Sequence, residues 1–306
     1  MKRIMVTGSN GLLGQKITDL SLLDPEIELI ATSVGPNRHP VKSGYTYEEL
    51  DVLDPIRLDE LVAKYHPNAI IHTAAMTNVD ACELDHEKCY ALNVKSVENL
   101  IKVSQNTDIQ LIHLSTDFIF DGEDGPYAED AEPNPLSYYG QTKLESEIIL
   151  QNSSCNWAIL RTIIVYGIVN DMSRTNIVLW AKAALEKGEP INVVNDQWRM
   201  PTLAEDLAQC CLLAVKNNAK GVFNASGKDL MSILEIVERV ADYYGLDKSL
   251  INPISAESLN QAAKRPKKTG FILDKTIKEL GYQPHSFEEG IAFMEKQINA
   301  INNMKK

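Results

Sequence analysis

The stretch Lys2-Arg3-Ile4-Met5-Val6-Thr7-Gly8-Ser9-Asn10-Gly11-Leu12-Leu13-Gly14 decides the fold. A strand pattern runs into Gly8, and glycines at G-x-x-G-x-x-G spacing lead into an amphipathic pattern at Leu12–Leu23. Glycines between a strand and a helix let the chain turn tightly, let backbone N–H groups approach a pyrophosphate, and let helix pack on strand. The helix N-terminus adds the positive end of its dipole, which favours an anion. A glycine turn alone is a weak sign of a nucleotide, and its place between strand and helix strengthens it. The expected dinucleotide contacts here are Gly8, Asn10, Gly11, Leu12, Leu13 and Gly14.

Working outward, strand patterns follow at Glu28–Thr32, Ala69–Thr73, Gln110–Ser115 and Asn156–Arg161, after the first at Arg3–Thr7. Helical patterns separate them at Asp54–Tyr65, Asp85–Thr107 and Tyr138–Gln151. This alternation predicts an α/β, Rossmann-type doubly wound parallel sheet. Continuous apolar runs such as Ala69-Ile70-Ile71 fit strands covered on both faces. Past Arg161 the rhythm loosens, with helical patterns at Asn176–Lys187, Leu203–Lys216, Ser232–Gly245 and Phe287–Asn302 and short strands near Ile191–Val194 and Val222–Ala225. Residues 1–160 therefore read as the nucleotide-binding domain, with 195–225 returning to it. Residues 161–306 read mainly as a smaller, interleaved substrate-binding lobe, and Asn302–Lys306 as a frayed tail.

Composition narrows the function classes. The 306 residues carry 30 Lys and Arg against 42 Asp and Glu, a net charge of −12 that disfavours nucleic acid and anionic membranes as partners. A hydrophobic content of 44% supports a packed chain. The five cysteines lack the spacing of a zinc site or a secreted disulfide framework, so no metal is expected and the thiols read as free. The N-terminal strand leaves no room for a leader, and no apolar run is long enough to span a membrane; the expectation is a cytoplasmic protein.

The end of the second strand bears on which dinucleotide is bound. An acid there would grip a ribose 2′-OH, whereas arginine favours a 2′-phosphate. The chain reads Thr32-Ser33-Val34-Gly35-Pro36-Asn37-Arg38, without an acid, so NADPH is expected, with NADH as the alternative. Ser33 and Arg38 are the candidate phosphate contacts, although Arg38 also reads as a solvated loop charge. Asp51 and Val52 stand where the adenine edge would lie, and Ala74, Ala75 and Met76, after the strand ending at His72-Thr73, permit close approach.

Tyr139 and Lys143 lie four apart at the start of a helical pattern and so share a face. A nearby ammonium should lower the phenol's pKa toward the range of a working acid or base. Thr116, with Ser115 as competitor, ends a strand at the edge where open α/β sheets bind ligands. His72 and His113, on strands, read as core histidines and are assigned no chemistry.

Together these residues resemble the extended short-chain dehydrogenase/reductase superfamily, and within it the dTDP-4-dehydrorhamnose reductase type. The resemblance runs through the glycine loop, Ala74-Ala75-Met76-Thr77-Asn78-Val79-Asp80, Asn93, Ser115-Thr116-Asp117, Tyr139 to Leu144, Arg161-Thr162, Val165-Tyr166-Gly167, Asp196-Gln197, Pro201-Thr202 and Arg265-Pro266. It implies hydride delivery from NADPH to the C4 carbonyl of a nucleotide-linked 4-keto-6-deoxy sugar, most simply dTDP-4-dehydrorhamnose. Tyr139 would protonate the alkoxide, Lys143 would orient the nicotinamide ribose, and Thr116 would bind the carbonyl oxygen. Asn93 would support the lysine's surroundings. Val79, Ser115, Arg161, Gln197, Arg199, Thr202 and Arg265 would face the sugar nucleotide, and a homodimer is a possible assembly. The cluster Lys264–Lys268 reads either as a diphosphate site or as a solvated face.

Two departures stand out. Ile163 and Ile164 occupy the place of the family's Ser-Trp, and Arg199 replaces a glycine of its Asp-Gln-x-Gly-x-Pro-Thr pattern. Two alternatives follow from the same fold: a non-catalytic NADP-binding regulatory subunit like that of methionine adenosyltransferase, and an NAD-linked sugar-nucleotide epimerase or dehydratase. The regulatory subunit also carries an arginine near the place of Arg199. A complete set of Thr116, Tyr139 and Lys143 favours the reductase.

Overall fold

The computed structural model describes residues 1–173 and 175–304. Its core is a parallel sheet whose first six strands are β1 (Lys2–Thr7), β2 (Ile27–Ser33), β3 (Thr46–Glu49), β4 (Ala69–His72), β5 (Gln110–Thr116) and β6 (Asn156–Thr162). The strand order is 3-2-1-4-5-6, followed by an edge strand at Gly221–Asn224. The helices are α1 (Leu12–Leu22), α2 (Pro55–Tyr65), α3 (Val79–Leu84), α4 (His86–Tyr90), α5 (Ser96–Ser104) and α6 (Tyr138–Gln151), then α7 (Ile177–Glu186), α8 (Ala204–Lys216), α9 (Ile233–Tyr244), α10 (Asp274–Leu280) and α11 (Phe287–Met304).

Period-2 alternation sends the strands' side chains into two cores. Ile4, Val6, Leu29, Ala31, Ile71 and Ile112 pack with α1 and α8, whereas Met5, Ile30, Ile70, Leu111 and Ile159 pack with α2 and α5. Strands buried on both faces need apolar residues at every position, which is why these segments read as continuous runs. Helix α8 packs on the main sheet: Leu207, Cys210, Cys211 and Ala214 are buried in the first core. The second lobe has its own core, in which Val178, Ala181, Ile236, Val240, Ile291 and Met294 meet the short strand Ile191–Val194. That strand pairs in parallel with Ile251–Ile254.

Local chemistry sets the helix ends. Asp54 caps α2 by accepting from the N–H groups of Ile56 and Arg57, with Pro55 at the first helical position. Ser137 caps α6 by accepting from Gly140 N–H, which fixes where the Tyr139–Lys143 face begins. Two expectations are corrected. The helix expected over Asp85–Thr107 is split into α4, a π-helical turn at Ala91–Lys95, and α5. At that turn Asn93 Oδ1 accepts from Met76 N–H at 2.9 Å, and its Nδ2 donates to Met76 C=O at 3.1 Å, so the side chain faces the β4 loop. The strand β3 was not expected, because Thr46-Tyr47-Glu48-Glu49 at the sheet edge needs no apolar run.

Gly14 has a packing role. A Cβ there would lie 2.5 Å from Gly8 O and 2.5 Å from Ser9 Cα. Gly14→Ala is expected to lower stability by about 1–3 kcal/mol through overpacking. An unchanged urea unfolding midpoint would contradict this close approach.

Candidate active site

The sheet order reverses direction between β1 and β4, and a crevice opens there at the carboxyl ends of the strands. A cavity of about 670 Å³ runs from Gly11, Leu12 and Leu13 past Ser115, Thr116, Tyr139 and Lys143 to Gln197 and Arg265. It also touches Ala75, Val79 and Arg199. No side chain caps the N-terminus of α1, and no acid lies in its first turn. The first-turn N–H groups of such a helix lack intrahelical partners and carry the positive end of the dipole.

The other expected dinucleotide residues support this end from behind. Asn10 Nδ2 donates to Pro36 C=O at 3.0 Å, and its Oδ1 accepts from Arg38 N–H at 2.8 Å. Asn10 thus ties the glycine turn to the loop of Ser33 and Arg38, and Tyr47 donates to Gly35 C=O in the same loop. The Arg38 side chain is exposed. Gly8 adopts a φ of 75°, and a Cβ there would meet Ala74 N at 2.8 Å, so it permits two loops to touch. Asp51 is exposed and its carboxylate accepts from Leu53 N–H, while Val52 is buried and its carbonyl accepts from Asn99. Asn93 braces Met76, and its Nδ2 lies 3.2 Å from Thr142 Oγ1, beside Lys143.

Thr116 ends β5, and its hydroxyl donates to Asp117 Oδ1 at 3.2 Å while its oxygen accepts from Phe118 N–H at 3.3 Å. Burial drives the Tyr139 phenol well above its ordinary value, opposed by the Thr116 hydroxyl beside it. This corrects the expectation of a lowered phenol: burial dominates, and the charge of Asp117 adds to the rise. Burial also pulls Lys143 down to about 8, with Glu147 opposing it. At neutral pH the pair is therefore a neutral phenol and a mostly protonated amine. His113, assigned no chemistry from sequence, has its Nε2 3.2 Å from Lys143 Nζ.

On the sugar side three arginines take different places. Arg161 is 3% exposed and does not line the cavity; it forms a bidentate pair with Glu147, at 3.0 Å from Nε to Oε1 and 2.7 Å from Nη2 to Oε2. Its Nη1 donates to Glu129 C=O. The expectation that Arg161 meets substrate is corrected, since its donors hold α6 to β6. Thr202 is likewise corrected: it is fully buried and donates to Ile163 C=O at 2.6 Å.

Arg199 borders the cavity but spends its donors on the protein. Nη1 bonds Trp198 C=O at 2.7 Å, Nη2 bonds Pro266 C=O at 2.7 Å, and Nε sits 3.6 Å from Asp117. Burial raises the Asp117 carboxyl, opposed by Arg199 and by hydroxyls from Thr269 and Thr116. The arginine in the family's glycine position is thus a clamp between the Pro266-Lys267 carbonyls and Asp117, and it also lines the cavity. Of the basic cluster, Lys264, Lys267 and Lys268 are exposed, and Arg265 alone reaches the cavity, paired with Asp80 at 2.6 Å. Ser115 lines the cavity, and its buried Oγ has no hydrogen-bond partner among the described residues.

Among known proteins, the profile described as the RmlD substrate binding domain matches residues 1–300. The chain belongs to the RmlD family. A crystal structure of Bacillus anthracis dTDP-4-dehydrorhamnose reductase in complex with NADP is 26% identical, with a TM-score of 0.82, over 97% of this chain and 99% of that one. A Clostridium acetobutylicum dTDP-4-dehydrorhamnose reductase structure is 27% identical, with a TM-score of 0.85, over 97% and 99%. Methionine adenosyltransferase 2 subunit beta of Xenopus tropicalis is 32% identical over 275 residues, covering 87% of this chain and 78% of the relative. The RmlD fold is therefore that of a sugar-nucleotide reductase. No helix among the described residues is long and apolar enough to cross a membrane.

The Arg161–Glu147 pair yields a test within this RmlD protein. Glu147→Gln leaves a buried guanidinium uncompensated and is expected to cost about 3–5 kcal/mol in urea unfolding. Replacing both partners, Arg161→Met with Glu147→Leu, should recover most of that loss. A single variant as stable as the parent would refute a structural role.

Proposed function

We propose that this protein is an NADPH-dependent reductase of a nucleotide-linked 4-keto-6-deoxy sugar, with dTDP-4-dehydrorhamnose as the first substrate to test. The observation that carries the reading is one cavity holding the uncapped α1 N-terminus at one end and Tyr139, Thr116 and Lys143 within it. The residues fit a dinucleotide. Around Gly11 a Cβ would meet only Gly8 O, at 3.2 Å, so no side chain crowds the wall where a pyrophosphate would rest. Ser33 and Arg38 stand on the loop that Asn10 holds, as a 2′-phosphate site would need. When bound, NADPH supplies the hydride.

The chain's own residues supply the proton and the orientation. Tyr139, kept neutral by burial, would donate its phenolic proton to the oxygen developing negative charge at C4. The Lys143 ammonium would hold the ribose side and favour the phenolate that forms. Thr116 would hold the oxygen in place, its own proton directed to Asp117 in the absence of another acceptor. Ser115 Oγ would donate to a substrate hydroxyl, and Arg265 with Val79 and Gln197 would border the diphosphate and sugar. Asp117 is committed to Arg199 and two hydroxyls, which disfavours its use as the acid of a dehydratase.

A second reading is favoured by one finding, the 32% identity to a methionine adenosyltransferase 2 subunit beta. In that reading the protein binds NADP and a partner enzyme without turnover.

The decisive test is NADPH oxidation across a panel of nucleotide-linked keto sugars. The reductase reading expects turnover that falls about 10²–10⁴-fold in Tyr139→Phe with NADPH affinity nearly unchanged. No turnover with any sugar, together with stoichiometric capture of a methionine adenosyltransferase, would replace it with the regulatory reading. For the cofactor, Arg38→Ala should weaken NADPH binding and leave NADH binding as it was. Equal loss for both would refute a 2′-phosphate contact.

A further inference from the structure

Arg265 lines the cavity on a segment that is held from two sides. The backbone after it is fixed by Arg199, which donates to Pro266 C=O at 2.7 Å and to Lys267 C=O at 3.2 Å. Its side chain is held by Asp80, on the first turn of α3 beside the cavity residue Val79. Arg265 Nη2 donates to Asp80 Oδ2 at 2.6 Å and Nη1 donates to Asp80 Oδ1 at 3.2 Å, so the pair is bidentate. Asp80 Oδ1 also accepts from Ala263 N–H at 3.1 Å, and Nη1 donates to Ala263 C=O at 3.1 Å. The hydrogen bond from Arg265 holds the Asp80 carboxyl below its ordinary value, against a smaller opposing effect of burial, so the pair is charged at neutral pH.

A guanidinium carries five N–H donors in a planar fork. Here both Nη1 protons and one Nη2 proton are taken, by Asp80 and by the carbonyl of Ala263. The Nε proton and the second Nη2 proton have no partner among the described residues. In a guanidinium these two lie side by side on one edge and point the same way. Such an edge matches two oxygens of a phosphate group, whereas a lysine in its place would offer only a point charge.

We infer that Asp80 is a positioning residue for Arg265, gripping the guanidinium by its Nη1–Nη2 end so that the Nε–Nη2 edge is presented to the diphosphate of a sugar nucleotide. This rests on the reading of the cavity as a sugar-nucleotide site. Two effects of the carboxylate oppose each other. Its charge repels a diphosphate bound nearby, so a role in charge alone predicts that removing Asp80 tightens binding. Positioning predicts the reverse, because an Arg265 released from Asp80 has to be ordered afresh whenever a ligand binds. The hydrogen bonds favour positioning: one carboxylate holds both the side chain of Arg265 and the backbone of Ala263, and so ties α3 to the segment that brings Arg265 to the cavity.

The test is calorimetric titration of the NADPH-saturated protein with dTDP, UDP, GDP and CDP, which requires no turnover. Asp80→Ala should weaken the diphosphate that binds best by about tenfold, with NADPH affinity unchanged as the control for folding. Asp80→Asn, which keeps the shape but only one acceptor oxygen, should lose affinity in the same direction. Arg265→Lys, which keeps the charge and loses the fork, should lose about as much as Asp80→Ala, and combining the two should cost nothing further. Nitrogen-15 NMR gives a second readout: the Arg265 Nε–H signal of the unaltered protein should shift when the diphosphate is added. Unchanged or tighter binding in a folded Asp80 variant, additive losses in the double variant, or an Arg265 Nε–H indifferent to the diphosphate would overturn the inference. If the unaltered protein binds none of the four diphosphates, the sugar-nucleotide reading falls with it. Absence of keto-sugar turnover with the Asp80–Arg265 coupling intact would instead count against the reductase reading alone.

Discussion

Desolvation at the carboxyl edge of the sheet is the constraint on which the rest of the structure depends. Placing the end of β5 and the first turns of α6 inside the protein removes Tyr139, Lys143, Asp117, Glu147, Arg161 and Arg199 from water together. Unpaired buried charges cost several kcal/mol each, so every one of these groups has to be compensated or neutralised. Arg161 is matched by Glu147 and Arg199 by Asp117 and three backbone carbonyls, while burial pulls the Lys143 amine down. Tyr139 is left as an uncharged phenol, the form that can give up a proton to a developing alkoxide.

The same constraint resolves the tension between an acidic chain and anionic ligands. A net charge of −12 describes the surface, whereas the cavity is bordered by Lys143, Arg199 and Arg265. Both arginines are already paired with carboxylates, so the cavity is less positive than its lining suggests. The uncapped α1 N-terminus then carries more of the anion attraction, through backbone N–H groups that are not counted in net charge. The clamp made by Arg199 also links the 266–268 segment to the residue after Thr116. The departure from the family's glycine thereby ties together the wall of the site.

Much of this was legible in the sequence, and the failures share a cause. The glycine turn, α1, α6 and the i, i+4 face of Tyr139 and Lys143 follow from local spacing, and local spacing survives folding. Helix α8 packs on the main sheet with more apolar residues than a surface helix needs. What could not be read was the partner of a charged residue. Arg161 and Arg199 have the composition of substrate contacts, and only the meeting of α6 with β6, or of Trp198-Arg199 with residues 266–268, shows that their donors are already used. The break in the helix after Asp85 has the same origin, since Asn93 turns toward Met76, seventeen positions earlier in the chain. His113 was read correctly as buried, but its proximity to Lys143 depends on β5 lying beneath α6. A sharper signal existed in the serine at Ser146, three residues after Lys143, which supplies the second partner of the ring.

The central claim is that this cavity moves a hydride to a sugar-nucleotide carbonyl. The most direct measurement is isotopic: incubation with NADPH carrying deuterium at nicotinamide C4 and a nucleotide-linked 4-keto-6-deoxy sugar, followed by NMR of the product. With the correct diastereomer of the labelled cofactor, the account predicts one deuterium at sugar C4, on one face, with a matching amount of NADP formed. Product without deuterium from either diastereomer, or no product while NADPH stays bound, would contradict it.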